Sequence, residues 1–396
     1  MKKRLTLRSA CITVATATLA GLLTSGFILH SRNSSGTKTD RESSGTPASD
    51  GKTTSSPVTT SIPEAKGMPV FGHWRNFTTA DGLPSDHAYT VRIIGDSVLV
   101  GTHDGLAVYR NGKWRTYTTK DGLAHNGVVS IDYSKLTGDV WIGTLSGLSR
   151  WSAGKFETFN QFNSGMPNDL VYCVYCDGKD LWVATGGGAG RFDTYTRQWD
   201  IFTEQNAPMH EPWTYGVSTG NGKAYIAAWG GGVIEYDLKT KKFRDYTDPD
   251  GFMEIDLQPD DGLIHDITTA TSWSDGILWV STYFGMSRYD GKNWKGYFDH
   301  DSGLARNFIN FLRAVGPVVY VCSDKGLSTF NGETWVTYKK NDTGEAGKAI
   351  IRTGNSIKEI PMSPCISHNF IIGVDARDNY LWVATAHGVS RGELIK

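Results

Sequence analysis

Gly143-Thr144-Leu145-Ser146-Gly147-Leu148 decides the fold, because the same phrase returns along the chain. Gly101-Thr102-His103-Asp104-Gly105-Leu106 is an equally clear copy. Looser copies are Ala184-Thr185 with Gly188-Ala189, Ala227-Ala228 with Gly232-Val233, and Ser281-Thr282 with Gly285-Met286. Cys322-Ser323 with Gly326-Leu327 and Ala384-Thr385 with Gly388-Val389 complete the series. The second glycine falls at 105, 147, 188, 232, 285, 326 and 388, so most intervals lie between 41 and 44 residues. Self-similarity at such a period marks a repeat architecture. The two longer intervals, 53 and 62 residues, are insertions.

Working outward from the phrase, each copy has one anatomy. A polar turn such as Asp121-Gly122-Leu123 precedes an apolar strand. A second strand ends in Val140-Trp141-Ile142-Gly143-Thr144 or Leu278-Trp279-Val280-Ser281-Thr282. A third reads Gly147-Leu148-Ser149-Arg150-Trp151, and a fourth starts with an aromatic residue, as in Trp114-Arg115-Thr116-Tyr117-Thr118. Four short strands per repeat are the unit of a β-propeller. An antiparallel β-solenoid is the alternative. Closure favours the propeller: Trp74-Arg75-Asn76-Phe77-Thr78 stands as a lone fourth strand, and the last copy, Leu381-Trp382-Val383 to Arg391, stops after its third. Together they make one blade and hide two sheet edges. The expectation is an all-β, seven-bladed propeller of four-stranded antiparallel blades over 68–396, closed by pairing of the N-terminal strand with the C-terminal blade.

Gly-Leu-Pro-Ser-Asp (82–86), Gly-Leu-Ser-Arg-Trp (147–151) and Leu-Trp-Val-Ala-Thr (181–185) resemble the repeats of two-component regulator propellers. The resemblance covers about residues 70–396 and is specific for fold. In that family such repeats form the extracytoplasmic sensing part of hybrid histidine kinases. Here the expectation is a free-standing propeller without a kinase, transmitter or DNA-binding module.

Composition agrees. Glycine is 46 of 396 residues, aromatics are 12 %, and there are 13 Trp. That favours short strands and tight turns over helices. Charge nearly cancels, with 40 Lys+Arg against 41 Asp+Glu. Lys2, Lys3, Arg4 and Arg8 crowd the N-terminus, so the rest of the chain is mildly acidic. Nucleic acid, which needs a basic footprint, is excluded as a partner. The basic start precedes an uncharged run between Arg8 and Arg32, read over 1–30 as a cleaved signal peptide or an uncleaved signal anchor. Residues 31–67, rich in Ser, Thr and Gly, read as a disordered linker. The body is therefore expected outside the cytoplasm (periplasm, cell surface or secreted), touching membrane only through its N-terminal segment. Cys173-Val174-Tyr175-Cys176 has redox or zinc-knuckle spacing, but residues three apart on a strand point to opposite faces, so core cysteines are expected.

Strand parity puts two loop sets on one face, around the channel mouth: the loop entering the innermost strand and the loop between strands two and three. Aligned on Gly-Leu-x, the entry loops hold Ser85, His125, Asn168, Glu211, His265, Arg306 and His368 at their fourth position. The fifth holds Asp86, Asn126, Asp169, Pro212, Asp266, Asn307 and Asn369, which read as turn caps. At the fourth position the family pattern usually has Ser, and the three His and one Arg look like departures that no turn requires. His87, His103, His210 and His387 lie near the same loops. Converging imidazoles at His125, His265 and His368 would suit Zn²⁺, Fe²⁺ or Cu²⁺, or acid–base work. A metal-free polar ligand site and plain surface polarity stay open beside that.

Gly186-Gly187-Gly188 and Gly230-Gly231-Gly232 would let a ligand approach the backbone of the third and fourth repeats. Trp213, Trp229 and Tyr283 fall nearby, with His210, Glu211 and Arg306 as polar companions. Aromatic platforms beside polar groups suit a small molecule, a glycan or a protein ligand. The acidic insertion 248–261 is no EF-hand, since Tyr246 and Leu257 occupy its first and twelfth ligand positions; a looser Ca²⁺ site is the reading it leaves. The insertion 339–367, with Pro361, Pro364 and Cys365, is read as a lid on the mouth face. No P-loop, nucleophile elbow, dinucleotide fingerprint or zincin motif occurs. The first expectation is a sensor or binding module, and the alternative is a metal-dependent lyase or hydrolase with a His-lined mouth.

Overall fold

The structure, a computed structural model, describes residues 67–249 and 262–395. The expected signal segment, the linker and most of the acidic insertion lie outside the described residues. Among the described residues no helix is long and apolar enough to cross a membrane.

Seven antiparallel sheets succeed one another along the chain. Their innermost strands are Ala88–Ile94, Val128–Tyr133, Val171–Asp177, Thr214–Gly220, Thr268–Ser274, Ile309–Val315 and Ile371–Arg377. Each packs against the next, and the last packs against the first, so the ring is closed. Phe71–Phe77 pairs antiparallel with Gly388–Leu394 as the outer strand of blade seven, with Phe77 opposite Val389. The expected architecture and closure are therefore observed.

The repeated phrase is explained by one turn. In six blades the Thr or Ser hydroxyl donates to the carbonyl of the glycine three residues on, as Thr144 does to Gly147 at 2.6 Å. That glycine has positive φ, for example 148° at Gly105 and 111° at Gly188. A Cβ on Gly188 would stand 2.3 Å from the carbonyl oxygen of Phe202, in the fourth strand. Glycine is thus required both by its dihedral and by a neighbouring backbone. The second-strand ring column, including Trp141, Trp182, Trp279 and Trp382, is buried beneath this turn. In blade seven Trp382 stacks on Phe77 of the N-terminal strand at 5.4 Å.

Blade six departs from four strands. Thr334–Lys340 continues into Gly347–Thr353 and Ser356–Met362, giving a six-stranded sheet. The expected lid over 339–367 is therefore corrected: most of it is an outer hairpin that widens the blade. Pro361 is tolerated because it lies on the new edge strand. The hairpin shares a core with blade seven, where Ala349, Ile351, Met362 and Cys365 pack with Met68, Phe71 and Trp74. Beside it, the Tyr338 hydroxyl accepts from the Phe71 backbone N–H at 2.8 Å, and the ring meets Trp74 edge-on at 5.4 Å.

This contact makes a prediction about closure. Tyr338→Phe leaves the buried Phe71 N–H without its partner, a cost of about 1–3 kcal/mol. Hydrogen exchange should accelerate at residues 71–77 more than in blades two to five. Unchanged protection there would show that Tyr338 does not hold the closing strand.

Candidate functional site

The two loop sets do meet on one face. The first residue of the loop between strands two and three donates its N–H to the residue just ahead of the innermost strand. His103 bonds His87 at 3.1 Å, Leu145 bonds Gly127 at 2.9 Å, and Trp229 bonds Trp213 at 2.9 Å. Gly186, Tyr283 and Ala386 repeat the bond to Leu170, Ile267 and Phe370.

Every innermost strand then opens with a register irregularity at its second residue. Bulges of this kind re-aim a side chain. The bulged residues are Tyr89, Val129, Tyr172, Tyr215, Thr269, Asn310 and Ile372. Thr269 and Asn310 reach the start of the next blade, bonding the carbonyls of Ile309 and Ile371 at 2.9 and 2.8 Å. Tyr172 reaches Tyr215 of the next blade, with ring centroids 4.7 Å apart.

That pair begins an arc. Tyr215 meets Trp229 at 5.5 Å, Trp229 meets Tyr283 edge-on at 5.5 Å, and Tyr283 stacks on Phe308 at 4.0 Å. The contacts run from blade three to blade six without a gap. Trp229 and Tyr283 were singled out from sequence; Tyr172, Tyr215 and Phe308 were not. Burial pushes the hydroxyls of Tyr172 and Tyr283 up to about 12, so both remain protonated donors at neutral pH. Trp213 is half-buried, its carbonyl holding the Trp229 loop.

The Trp229 loop is built differently from its six counterparts. Ala228 stands where the clamping hydroxyl belongs, and one more residue separates it from Gly232. Thr268 of blade five supplies the missing group, donating to the carbonyls of Gly232 and Ala228 at 2.8 and 3.0 Å. His210 is exposed beside this loop, and its charge acts on Asp266. Glu211 is half-buried in the entry loop, while Arg306 is exposed in blade six and acts on Asp324.

The histidines need a correction. The Nδ1 of His125, His265 and His368 each accepts the backbone N–H two residues on, at 2.9 Å. Asn168 does the same with its amide oxygen at 2.9 Å, and Ser85 with its hydroxyl at 3.3 Å. The fourth position is thus a turn cap that imidazole fills as Ser or Asn would. With Nδ1 accepting, the network assigns the proton to Nε2. A metal on Nε2 would need that proton moved to Nδ1, against the backbone N–H. The three rings belong to blades two, five and seven, so no two are in adjacent blades. Among the described residues no group of three His, Cys, Asp or Glu side chains is placed to hold a metal ion. The fifth-position caps behave as expected: Asp86, Asn126, Asp169, Asp266, Asn307 and Asn369 each accept a backbone N–H from the preceding turn or strand end.

Blades seven and one carry a second group of side chains at their loops, built on histidine. His87 packs on Tyr89 at 4.9 Å, and the Tyr89 hydroxyl lies 3.2 Å from Nδ1 of His103. Burial pushes His87 down, reinforced by His103 and His368. Burial also pushes His368 down, followed by His387, Lys340 and Lys325. The Nε2 of His87 is buried without a partner. Farther along the inner strands, Arg92 bridges Asp132 at 2.8 Å and Asp375 at 3.1 Å, and Arg313 also reaches Asp375 at 3.1 Å. This chain of charges ties blades six, seven, one and two together. Cys173 and Cys176 are free thiols packed against different clusters, and burial raises the pKa of both.

No protein-family model matches the chain, and no curated protein matches it. Solved structures do. The extracellular domain of a putative hybrid two-component system from B. thetaiotaomicron superposes with a TM-score of 0.62 at 14% identity, covering 81% of this chain and 41% of that one. The extracellular domain of a putative one-component system from the same organism gives 0.58 at 17%, covering 80% and 39%. The chain thus spans about two fifths of these relatives' length. Virginiamycin B lyase from Staphylococcus aureus gives 0.57 at 13%, covering 82% and 99%. At these identities the likeness is one of fold, and at that level it fits the resemblance read from the repeats.

The buried cap in blade five yields a pH prediction. His265 is 1% exposed, stacks on Phe284 at 4.0 Å, and is pushed down to about 4 by burial. Because the fold favours the neutral ring, its stability contribution is present above about pH 6.5 and is lost as pH falls toward 4, by about 3 kcal/mol. His265→Asn keeps the cap, as Asn168 shows, and removes the titration. Urea unfolding should show a stability difference between pH 7 and pH 4 smaller by about that amount in the variant. Equal losses in both proteins would remove His265 as the cause.

Proposed function

We propose that this chain is an exported binding module of the sensor type, taking its ligand on the loop face at the channel mouth. The observation that carries the reading is the ring arc from Tyr172 to Phe308, delivered across four blades by two strand bulges, one enlarged loop, one ordinary loop and one entry loop. Aromatic surface with few convergent polar groups is the usual lining of a ligand site. Export rests on the basic start and uncharged run of the sequence, and on the extracellular origin of the two-component relatives. The metal-dependent lyase reading has no support in the caps at His125, His265 and His368.

Two experiments test the proposal. A panel of small molecules, glycans and peptides is screened by thermal shift against wild type and Trp229→Ala/Tyr283→Ala. A ligand at about 100 times its Kd stabilises wild type by about 2.7 kcal/mol, and the double variant should lose that gain while keeping its unliganded melting temperature within a few degrees. Hits that stabilise both proteins equally would move the site off the arc. Alkaline phosphatase fused after residue 67 should be active, since its disulfides form only outside the cytoplasm, and a fusion that is expressed but inactive would refute export.

A further inference from the structure

We infer that a second ligand site lies at the seam between blades seven and one, on the face away from the channel mouth, and that it takes a free α-amino acid with an apolar side chain. A cavity of about 300 Å³ opens there, between the turn joining the first two strands of blade one and the same turn of blade seven. That volume is at the lower end of small-molecule sites. The cavity shares no residue with the ring arc, so the two sites can be tested separately.

The repeat register shows what is different here. In four blades an arginine of strand three stands opposite the strand-two Trp: Arg150 opposite Trp141, Arg191 opposite Trp182, Arg288 opposite Trp279 and Arg391 opposite Trp382. Two residues ahead of the Trp, blades two and three carry Asp139 and Asp180, which close on their arginines at 2.8 and 2.7 Å. Blade four swaps the signs and pairs Lys223 with Glu235. Blade five has Ile277 there, and Arg288 turns to Asp290 at 3.5 Å. Blade seven has Tyr380, 42% exposed. Arg391 lies over the Tyr380 ring at 5.1 Å and gives Nη2 to Glu393 at 2.8 Å. Its Nε is buried without a partner, and its Nη1 meets no acceptor among the described residues. A guanidinium freed from its cross-strand carboxylate is built to receive another one.

The rest of the lining fixes the ligand class. Arg377 reaches across the seam, its Nη1 donating to the Gly95 carbonyl of blade one at 3.1 Å. Asp96 and Asp378 complete the charged lining, so two guanidiniums meet two carboxylates and the formal charge cancels. Asp96 is committed to Arg110 at 2.8 Å and to the Ser97 hydroxyl at 3.2 Å. Asp378 has only Arg377, at 3.6 Å, and stays open to solvent. Such a lining suits an occupant that carries both signs over a plain anion or cation. Behind the charges the wall is apolar: Trp382 and Val98 are buried, and Ile93 and Tyr109 are half-buried. An α-amino acid sets its carboxylate on Arg391, its ammonium on Asp378 and its side chain against that wall.

Calorimetric titration of the full chain at pH 7 separates the parts. L-Phenylalanine or L-leucine should bind saturably. N-Acetyl-L-phenylalanine lacks the ammonium, L-phenylalaninamide the carboxylate and glycine the side chain. Each should bind at least about tenfold more weakly, the worth of one charge-assisted hydrogen bond or one buried apolar side chain. Tyr380→Asp restores the ion pair of blades two and three, so it should abolish binding without lowering the urea midpoint. Asp378→Asn should weaken L-phenylalanine and leave the N-acetyl compound unchanged, since Asn suits the positive φ of 53° there. Trp229→Ala should change nothing. Near-ultraviolet circular dichroism confirms that each variant is folded. No saturable binding of either amino acid overturns the site. Binding lost with Trp229→Ala and kept with Tyr380→Asp overturns the seam and moves the amino acid to the mouth. N-Acetyl-L-phenylalanine or Gly-Gly-Phe binding as tightly as L-phenylalanine overturns the free amino acid in favour of a peptide C-terminus.

Discussion

A threonine hydroxyl donating to the carbonyl of the glycine three residues ahead is the bond on which the rest depends. It folds the loop between strands two and three tightly enough for the glycine to lie against the carbonyl of the fourth strand in the same blade. The buried ring column beneath it then fills the space with Trp, Tyr or Leu. Because the clamp uses only one hydroxyl and one glycine, the two outward residues of the loop are free to vary. His103-Asp104, Tyr283-Phe284 and Asp324-Lys325 share one geometry and present different chemistry to the mouth.

Blade four shows what happens when the clamp is moved. Without a hydroxyl at Ala228 the Gly232 carbonyl lacks the donor that meets its counterpart in the other six blades, and the Ala228 carbonyl is left with the Gly231 N–H at 3.3 Å. Thr268 meets both from the next blade, and the longer loop then carries Trp229 into contact with Tyr215 and Tyr283. The departure from the repeat is therefore a compensated one, and it lies where the aromatic arc is densest.

Blade number, strand order and closure were legible because glycine and threonine are demanded by geometry at fixed places. Trp229 and Tyr283 were legible because they replace small loop residues. Tyr172 and Tyr215 were not, since within Val171-Tyr172-Cys173-Val174 a tyrosine reads as ordinary strand, and only the bulge turns it to the mouth. The histidines misled for a related reason: Nδ1 can do the work of a serine hydroxyl, so a change of residue type concealed an unchanged role. The hairpin in 339–367 did carry a signal, Gly354-Asn355 between two isoleucine-rich runs, but its prolines weighed toward a loop.

The closing strand also has a mechanical meaning. Phe71 faces Leu394 and Phe77 faces Val389, and the Ile395 N–H bonds the Val70 carbonyl, so the N-terminal end of one strand lies beside the C-terminal end of the other. Tension between those two ends peels the ladder one pair at a time from Phe71, the weakest loading direction for a β-pair. Tyr338 of blade six holds that end through the Phe71 N–H and the Trp74 ring. The widened blade six thus behaves as a rivet across the seam, placed where a pulling force would first open the ring.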